Sequence, residues 1–194
     1  MSLSKLTPLI KSLINLPNLS GTAFRQAGDY MFREMRRQKC AIKIETAEKI
    51  LHEGEFGVLA LTGDDGYNYA VPLNYAFAEN KIYFHSALTG HKLDAIKNND
   101  KVSFCVVGQH QVIAQEFTSY FTSAIAFGKI RIANNDAEKL RALELFADKY
   151  SPNVDKNLRD RELARINAVK IMIFEIEHLT GKAARELIRD GKIS

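Results

Sequence analysis

From Tyr67 to Phe77 the chain alternates. Tyr67, Tyr69, Val71, Leu73, Tyr75 and Phe77 share one face, and Asn68, Ala70, Pro72, Asn74 and Ala76 share the other. This period of two predicts a strand. Its second face is small and polar and leaves room for something to lie against it. Pro72 has no N–H to give to a ladder, which suits an edge, a bulge or a ligand-facing position. Glu79-Asn80 turns the chain into a second strand over Lys81–His85. At Ser86 the pattern changes to a helical one: Leu93 and Ile96 stand three apart, and Asn98-Asn99 closes the segment.

The same reading extends in both directions. Thr46–His52 is predicted as a short helix with Ile50 and Leu51 inward and Gly54 at its end. Phe56–Thr62 is a buried strand, followed by a hairpin turn at Gly63-Asp64-Asp65-Gly66. Lys101–Val107 is another strand, Gly108–Thr118 a loop or irregular strand, and Phe121–Ile132 a long strand. Gly128, inside that long strand, marks a bulge or a close backbone approach. Asn135 caps a helix, with Glu138 three residues later; Leu140, Leu143, Phe146 and Ala147 form its buried stripe, and Ser151-Pro152 ends it. Leu158–Arg165 is a charged helical segment, Val169–Ile176 a last apolar strand, and His178–Ile188 a basic tail. Residues 1–32 form an extension whose Leu6, Leu9, Ile10 and Leu13 suit a helix face, and residues 33–194 form the main domain. Strands joined by hairpins, without regular βαβ alternation, predict an α+β, mainly β fold: an antiparallel barrel with peripheral helices. The glycine-rich dinucleotide fingerprint is absent.

Composition refines this picture without redirecting it. The 194 residues suffice for one sizeable core, and 46% apolar content is that of a globular protein. The net charge of +4, from 27 basic and 23 acidic residues, does not by itself indicate nucleic acid. Cys40 and Cys105 have no CxxC spacing, the five histidines have no ligand-like neighbours, and no stretch reads as a bilayer span. A cytoplasmic protein with no membrane or nucleic-acid partner and no metal site is the expectation.

The chemistry concentrates between residues 86 and 92. Ser86-Ala87-Leu88-Thr89-Gly90-His91-Lys92 sets a hydroxyl, a flexible glycine, an imidazole and an ammonium around a helix start. Helix starts carry unpaired N–H groups and favour anions, so one reading is a phosphate cradle. The other is an ordinary helix capped by Thr89, with His91 and Lys92 in solvent. Ser123, Ala124 and Ala126 form a small-residue stretch that suits either a flat ligand or another sheet. No hydrolytic triad is present: nothing around His85-Ser86 fits a nucleophile elbow.

Five segments taken together, Met35-Arg36-Arg37, Val71-Pro72-Leu73-Asn74-Tyr75, Tyr83-Phe84-His85-Ser86-Ala87, Gly90-His91-Lys92-Leu93-Asp94 and Ser123-Ala124-Ile125-Ala126-Phe127-Gly128, resemble the pyridoxamine 5′-phosphate oxidase-related FMN-binding split barrels. Within them the chain is most similar to the 5-nitroimidazole resistance, nitroreductase-like branch, over residues 33–186. The resemblance implies a homodimer holding FMN at its interface. It implies Arg37, Pro72, Leu73, Asn74, His85, Ser86, His91 and Lys92 as cofactor contacts, with His91 and Lys92 at the phosphate. Ser123, Ala124, Ile125 and Phe127 would come from the other subunit, and His85 is the candidate catalytic residue. Arg37 is followed by Gln38-Lys39-Cys40-Ala41, where relatives often continue with charged residues. The implied activity is a flavin-dependent reduction of a small organic acceptor, such as a nitroaromatic. A haem-binding or haem-degrading barrel, with one histidine as axial ligand, and a non-enzymatic flavin binder are the alternatives.

Overall fold

The computed structural model describes residues 32–64 and 66–193; the helical extension expected before residue 32 lies outside them. The strands are β1 (Ala41–Ile42), β2 (Phe56–Thr62), β3 (Asn68–Asn74), β4 (Ala76–Ala78), β5 (Lys81–Ser86), β6 (Lys101–Ile113), β7 (Thr118–Ile132) and β8 (Lys170–Ala183). The helices are α1 (Ile44–Glu53), α2 (His91–Asn98), α3 (Asp136–Tyr150), α4 (Lys156–Leu163) and α5 (Arg185–Arg189).

All eight strands form one antiparallel sheet in the order β3-β2-β6-β7-β8-β5-β4, with β1 also on β8. The first and last strands of that path, β3 and β4, are separated in the chain by Tyr75 alone. The sheet therefore curls until its two ends are one residue apart without pairing along the seam. This is the split barrel expected from the sequence.

Tyr75 holds the seam. The expected alternation runs as predicted through Asn74, with Tyr69, Val71 and Leu73 half-buried and Asn68, Ala70, Pro72 and Asn74 turned outward. It then breaks, because Tyr75 and Ala76 are both buried and the single strand expected over residues 67–77 is two. The Tyr75 side chain reaches the α1 carbonyl of Leu51 (2.7 Å), and its backbone N–H and carbonyl bond the Tyr150 hydroxyl on α3. Lys149 donates to the Gly54 carbonyl and sits 4.1 Å above the Tyr75 ring. Burial pushes the Tyr75 phenol well above its usual range and pulls the Lys149 ammonium down to about 8.

The barrel interior is packed by inward residues of every long strand and by Ala47, Ile50 and Leu51 of α1. At its centre Phe104 meets Tyr75 and Phe84 edge-on, at 4.9 and 5.0 Å between ring centroids. A second cluster, Ala76, Tyr83, Ile171 and Ile173, packs on α3 through Ala142. The fully buried residue of α3 is Ala142 rather than the expected Leu140, which is 39% exposed. Asn135 caps α3 as predicted, its Oδ1 accepting from the Glu138 N–H at 2.9 Å. The Glu138 carboxylate accepts from the Asn134 N–H and, through both oxygens, from Arg131 of β7 at 2.9 and 2.7 Å. The Arg131 bonds, then the Asn134 N–H, hold the Glu138 carboxyl down to about 2. Because the folded pKa is depressed, this support is present at neutral pH and is lost as pH falls from about 4.5 to about 2. Glu138→Ala should lower unfolding free energy by about 1–2 kcal/mol at pH 7 in denaturant titrations, with the difference from wild type shrinking below pH 4.

Two stretches extend strands beyond the sequence pattern. Of the two readings of residues 108–118, the irregular strand holds and the loop does not: β6 runs to Ile113 and β7 begins at Thr118, joined by a 3-10 turn and Phe117 in the left-handed region, with a register shift between Val107 and His110. The loop alternative stayed open because the arm's pairing is made by the backbone (His110 opposite Phe121, Val112 opposite Ser119) while its β6 side chains from Gly108 to Val112 are exposed. The second concerns residues 178–183, which continue β8 rather than begin a tail, and only Arg185–Arg189 is helical. A bulge at Glu177 lets β8 continue: Phe127 pairs with His178, while Gly128 pairs with Ile176. Gly128 marks that bulge as the sequence suggested. A Cβ there would stand 2.0 Å from the Glu175 carbonyl oxygen, so only glycine allows the strands this close.

Candidate functional site

β5 alternates two faces. Ile82, Phe84 and Ser86 turn with the main core, while Tyr83 turns to the α3 cluster and His85 lies on the same side. Ser86 is only 5% exposed, and its hydroxyl has no hydrogen-bond partner among the described residues. A buried hydroxyl left unpaired costs free energy, so this atom stands ready for an acceptor or donor that those residues do not supply.

Four residues on, α2 begins at Gly90, whose φ of 141° requires glycine. Thr89, the cap expected from the sequence, is not the cap: Gly90 is, and no side chain caps α2. The first-turn N–H groups of His91 and Lys92 receive no side-chain cap, while the Leu93 N–H donates to the Gly90 carbonyl at 2.9 Å. Lys92 follows on that first turn. His85 is held below its usual pKa, first by burial and then by the Lys92 charge. Lys92 and His85 therefore share one electrostatic neighbourhood, and the imidazole is neutral at pH 7.

His91 is engaged elsewhere. It stacks on Tyr69 at 4.4 Å, and its Nε2 lies 3.4 Å from Asp64 Oδ2, tying the α2 start to the β2–β3 turn. An anion at this imidazole would have the Asp64 carboxylate beside it.

His85 and Asn74 both line a groove of about 960 Å³, walled by α3, the turn after it, and α4. His85 packs edge-on against Phe146 at 4.8 Å, and the Asn74 amide donates to the Glu55 carbonyl at 3.1 Å. Sequence reasoning assigned Phe146 to a buried stripe and gave Tyr150 no role. The stripe was the signal: an apolar helix face wider than its core contact leaves part of itself for a groove.

The remaining expected residues lie on other faces. Leu73 turns inward onto the main core, whereas Pro72 is exposed on the outer face of β3. Arg37 is exposed beside the Gln38–Cys40 turn, which packs on α5. On β7, Ala124 is fully buried, so its side chain is closed off from any ring on the outer face. Ser123, Ile125 and Phe127 point outward instead. They complete one surface across five strands: Pro72, Val58, Cys105, Ile125 and Thr180 form one row, and Ala70, Ala60, Ser103, Phe127 and His178 the next. Val58 and Val107 on that face are 40% and 60% exposed.

Among the described residues no three His, Cys, Asp or Glu side chains gather as metal ligands, and no helix is long and apolar enough to cross a membrane.

A curled antiparallel sheet split at one seam, with a glycine-started helix after its fifth strand, defines the class of split-barrel proteins. Residues 43–183 match the pyridoxamine 5′-phosphate oxidase family, and the chain belongs to it. No curated protein sequence matches the chain. Among solved structures it is similar to a candidate 5-nitroimidazole antibiotic resistance protein from Bacteroides thetaiotaomicron, at 22% identity over 74% of this chain and 86% of that one, with a TM-score of 0.64. It is similar to a FAD- and haem-binding protein from Mycobacterium smegmatis at 20% identity, covering 79% and 80%, with a TM-score of 0.62. A flavocytochrome from Azotobacter vinelandii matches at 18% identity over 78% and 72%, with a TM-score of 0.63. At these identities the likenesses establish the fold.

Proposed function

We propose that this chain is an FMN-binding flavoprotein that works as a homodimer and reduces a small organic acceptor. The observation that carries the reading is the unpaired Ser86 hydroxyl, four residues before an uncapped helix start that bears Lys92. A phosphate supplies what this junction lacks: oxygens for the Ser86 hydroxyl and first-turn N–H groups, and negative charge for Lys92. The FAD named for the similar Mycobacterium smegmatis protein supports flavin binding, the coarser part of this reading.

The outer face supports the dimer. Its small and apolar residues span five strands, with Val58 and Val107 40% and 60% exposed among them, and a face of this kind marks an interface. Ser123, Ile125 and Phe127 are the residues of that face that would meet the partner or its cofactor.

A bound flavin supplies hydride or electron transfer; the chain supplies position and protons. Lys92 and the α2 start would hold the phosphate, Asn74 and Pro72 would contact the ring, and His85 would orient or protonate the acceptor. FMN should bind Lys92→Ala roughly ten- to a hundredfold more weakly than wild type in fluorescence-quenching titrations, the loss of one charge-assisted contact. Riboflavin, which lacks the phosphate, should bind weakly and equally to both. Equal affinity of the wild type for FMN and riboflavin would sink the phosphate assignment.

A further inference from the structure

The groove beside His85 has a wall chemistry that the flavin reading does not use. Leu143, Phe146, Val154, Leu158, Leu163 and Val169 line it, and Val154 and Leu158 are 39% and 42% exposed there. Its lining contains two cations, and each is already matched. Arg159 pairs with Asp148 at 2.7 Å, and Arg165 pairs with Glu162 at 3.1 Å. His85 is neutral at pH 7, and Lys92 is not among the lining residues. The groove is thus largely apolar with its charges paired, and its uncharged polar groups are the His85 imidazole, the Asn74 amide, the Tyr150 hydroxyl and Ser151. A charged head buried against this wall would have to shed its water with no unmatched counter-ion in the lining, which costs several kcal/mol.

We propose that this groove binds an uncharged elongated amphiphile, a long apolar chain or ring system ending in one alcohol or carbonyl that hydrogen-bonds His85. The site goes beyond the flavin assignment and stands whether or not that assignment holds, because its wall belongs to α3, α4 and the segments after each.

The test uses the full chain, with and without saturating FMN, and the neutral dye Nile red as fluorescent probe. Dodecanol, dodecanoate and dodecyltrimethylammonium then compete for it at pH 8. Nile red should bind in both states, and dodecanol should displace it at a concentration about tenfold below either charged competitor, or lower. Leu158→Asp, which puts an unpaired carboxylate on the wall, should weaken Nile red by about tenfold or more. Glu162→Gln, which releases Arg165, should shift the preference towards dodecanoate while leaving dodecanol unchanged. Failure of Nile red to bind, binding unaffected by Leu158→Asp, or a wild-type preference for dodecanoate each overturns the proposal. Competitive displacement of Nile red by FMN also overturns it, since the groove would then be the flavin's own site, whereas loss of FMN binding with the dye results intact overturns only the flavin reading.

Discussion

His85→Ala is expected to keep FMN bound and to lose acceptor reduction by about 10²-fold or more per bound flavin, the usual loss when a positioned general acid is removed. The geometry places His85 at the end of β5, one residue before the unpaired Ser86 and within electrostatic reach of Lys92. It also turns the imidazole outward to the groove, away from the packed core, so its removal leaves no cavity in the barrel. Phe146 supports the ring from one side, edge-on at 4.8 Å. The pH dependence follows from the direction of the shift. Burial and Lys92 lower the His85 pKa below the ordinary histidine value of 6.5, so the neutral form dominates at pH 7. Acceptor reduction that draws a proton from His85 should therefore quicken as pH falls towards that lowered pKa, and the His85→Ala variant should lose this dependence. Steady-state rates normalised to flavin absorbance measure both. Unchanged turnover per flavin with an unchanged pH profile removes His85 from the chemistry.

Phe104→Ala is expected to cost about 3–5 kcal/mol of folding free energy, the range for removing a buried aromatic ring. Phe104 has no exposure and bridges Tyr75, which closes the barrel seam, to Phe84 on the strand that carries the site. The space around it is fully committed: a Cβ on Gly57 would come within 2.4 Å of its ring. Collapse around the missing ring would have to move β2, β5 and the seam together, and for a chain of this size the melting temperature should fall by on the order of 10 °C. A fall of only about a degree in calorimetry would show that this ring is not the centre of the core.

These residues also show what the sequence makes legible. The alternation over Tyr69–Asn74 and the run Phe56–Thr62 announce two strands because one face of each is buried and the other is not. The break at Tyr75 is invisible there, since it depends on Leu51, Lys149 and Tyr150, distant in the chain. The hairpin arm could be read either as loop or as irregular strand for a different reason. Its strands pair through backbone groups, and the exposed residues on β6 report no buried face. The strand over residues 178–183 was masked by a bulge at Glu177, which shifts the alternation just where a strand would be judged to end.

The candidate site divides in the same way. Ser86, Gly90 and Lys92 could be singled out from a strand-to-helix change with a glycine inside it, and the orphaned Ser86 hydroxyl strengthens the phosphate reading. Ala124 could not be placed, because a small residue reads alike whether it lines a ligand or lets strands pack. Burial assigns it to the core. The groove at His85 was hidden within an apolar helix pattern that resembles any core-facing stripe.

The measurement that bears most directly on the flavin reading is size-exclusion chromatography of the purified protein after incubation with FMN, with light scattering and full absorption spectra recorded across the peak. The expected result is flavin absorbance co-eluting with a mass of two chains, at one FMN per chain. A single-chain mass without flavin absorbance, or a haem spectrum in its place, would contradict the account.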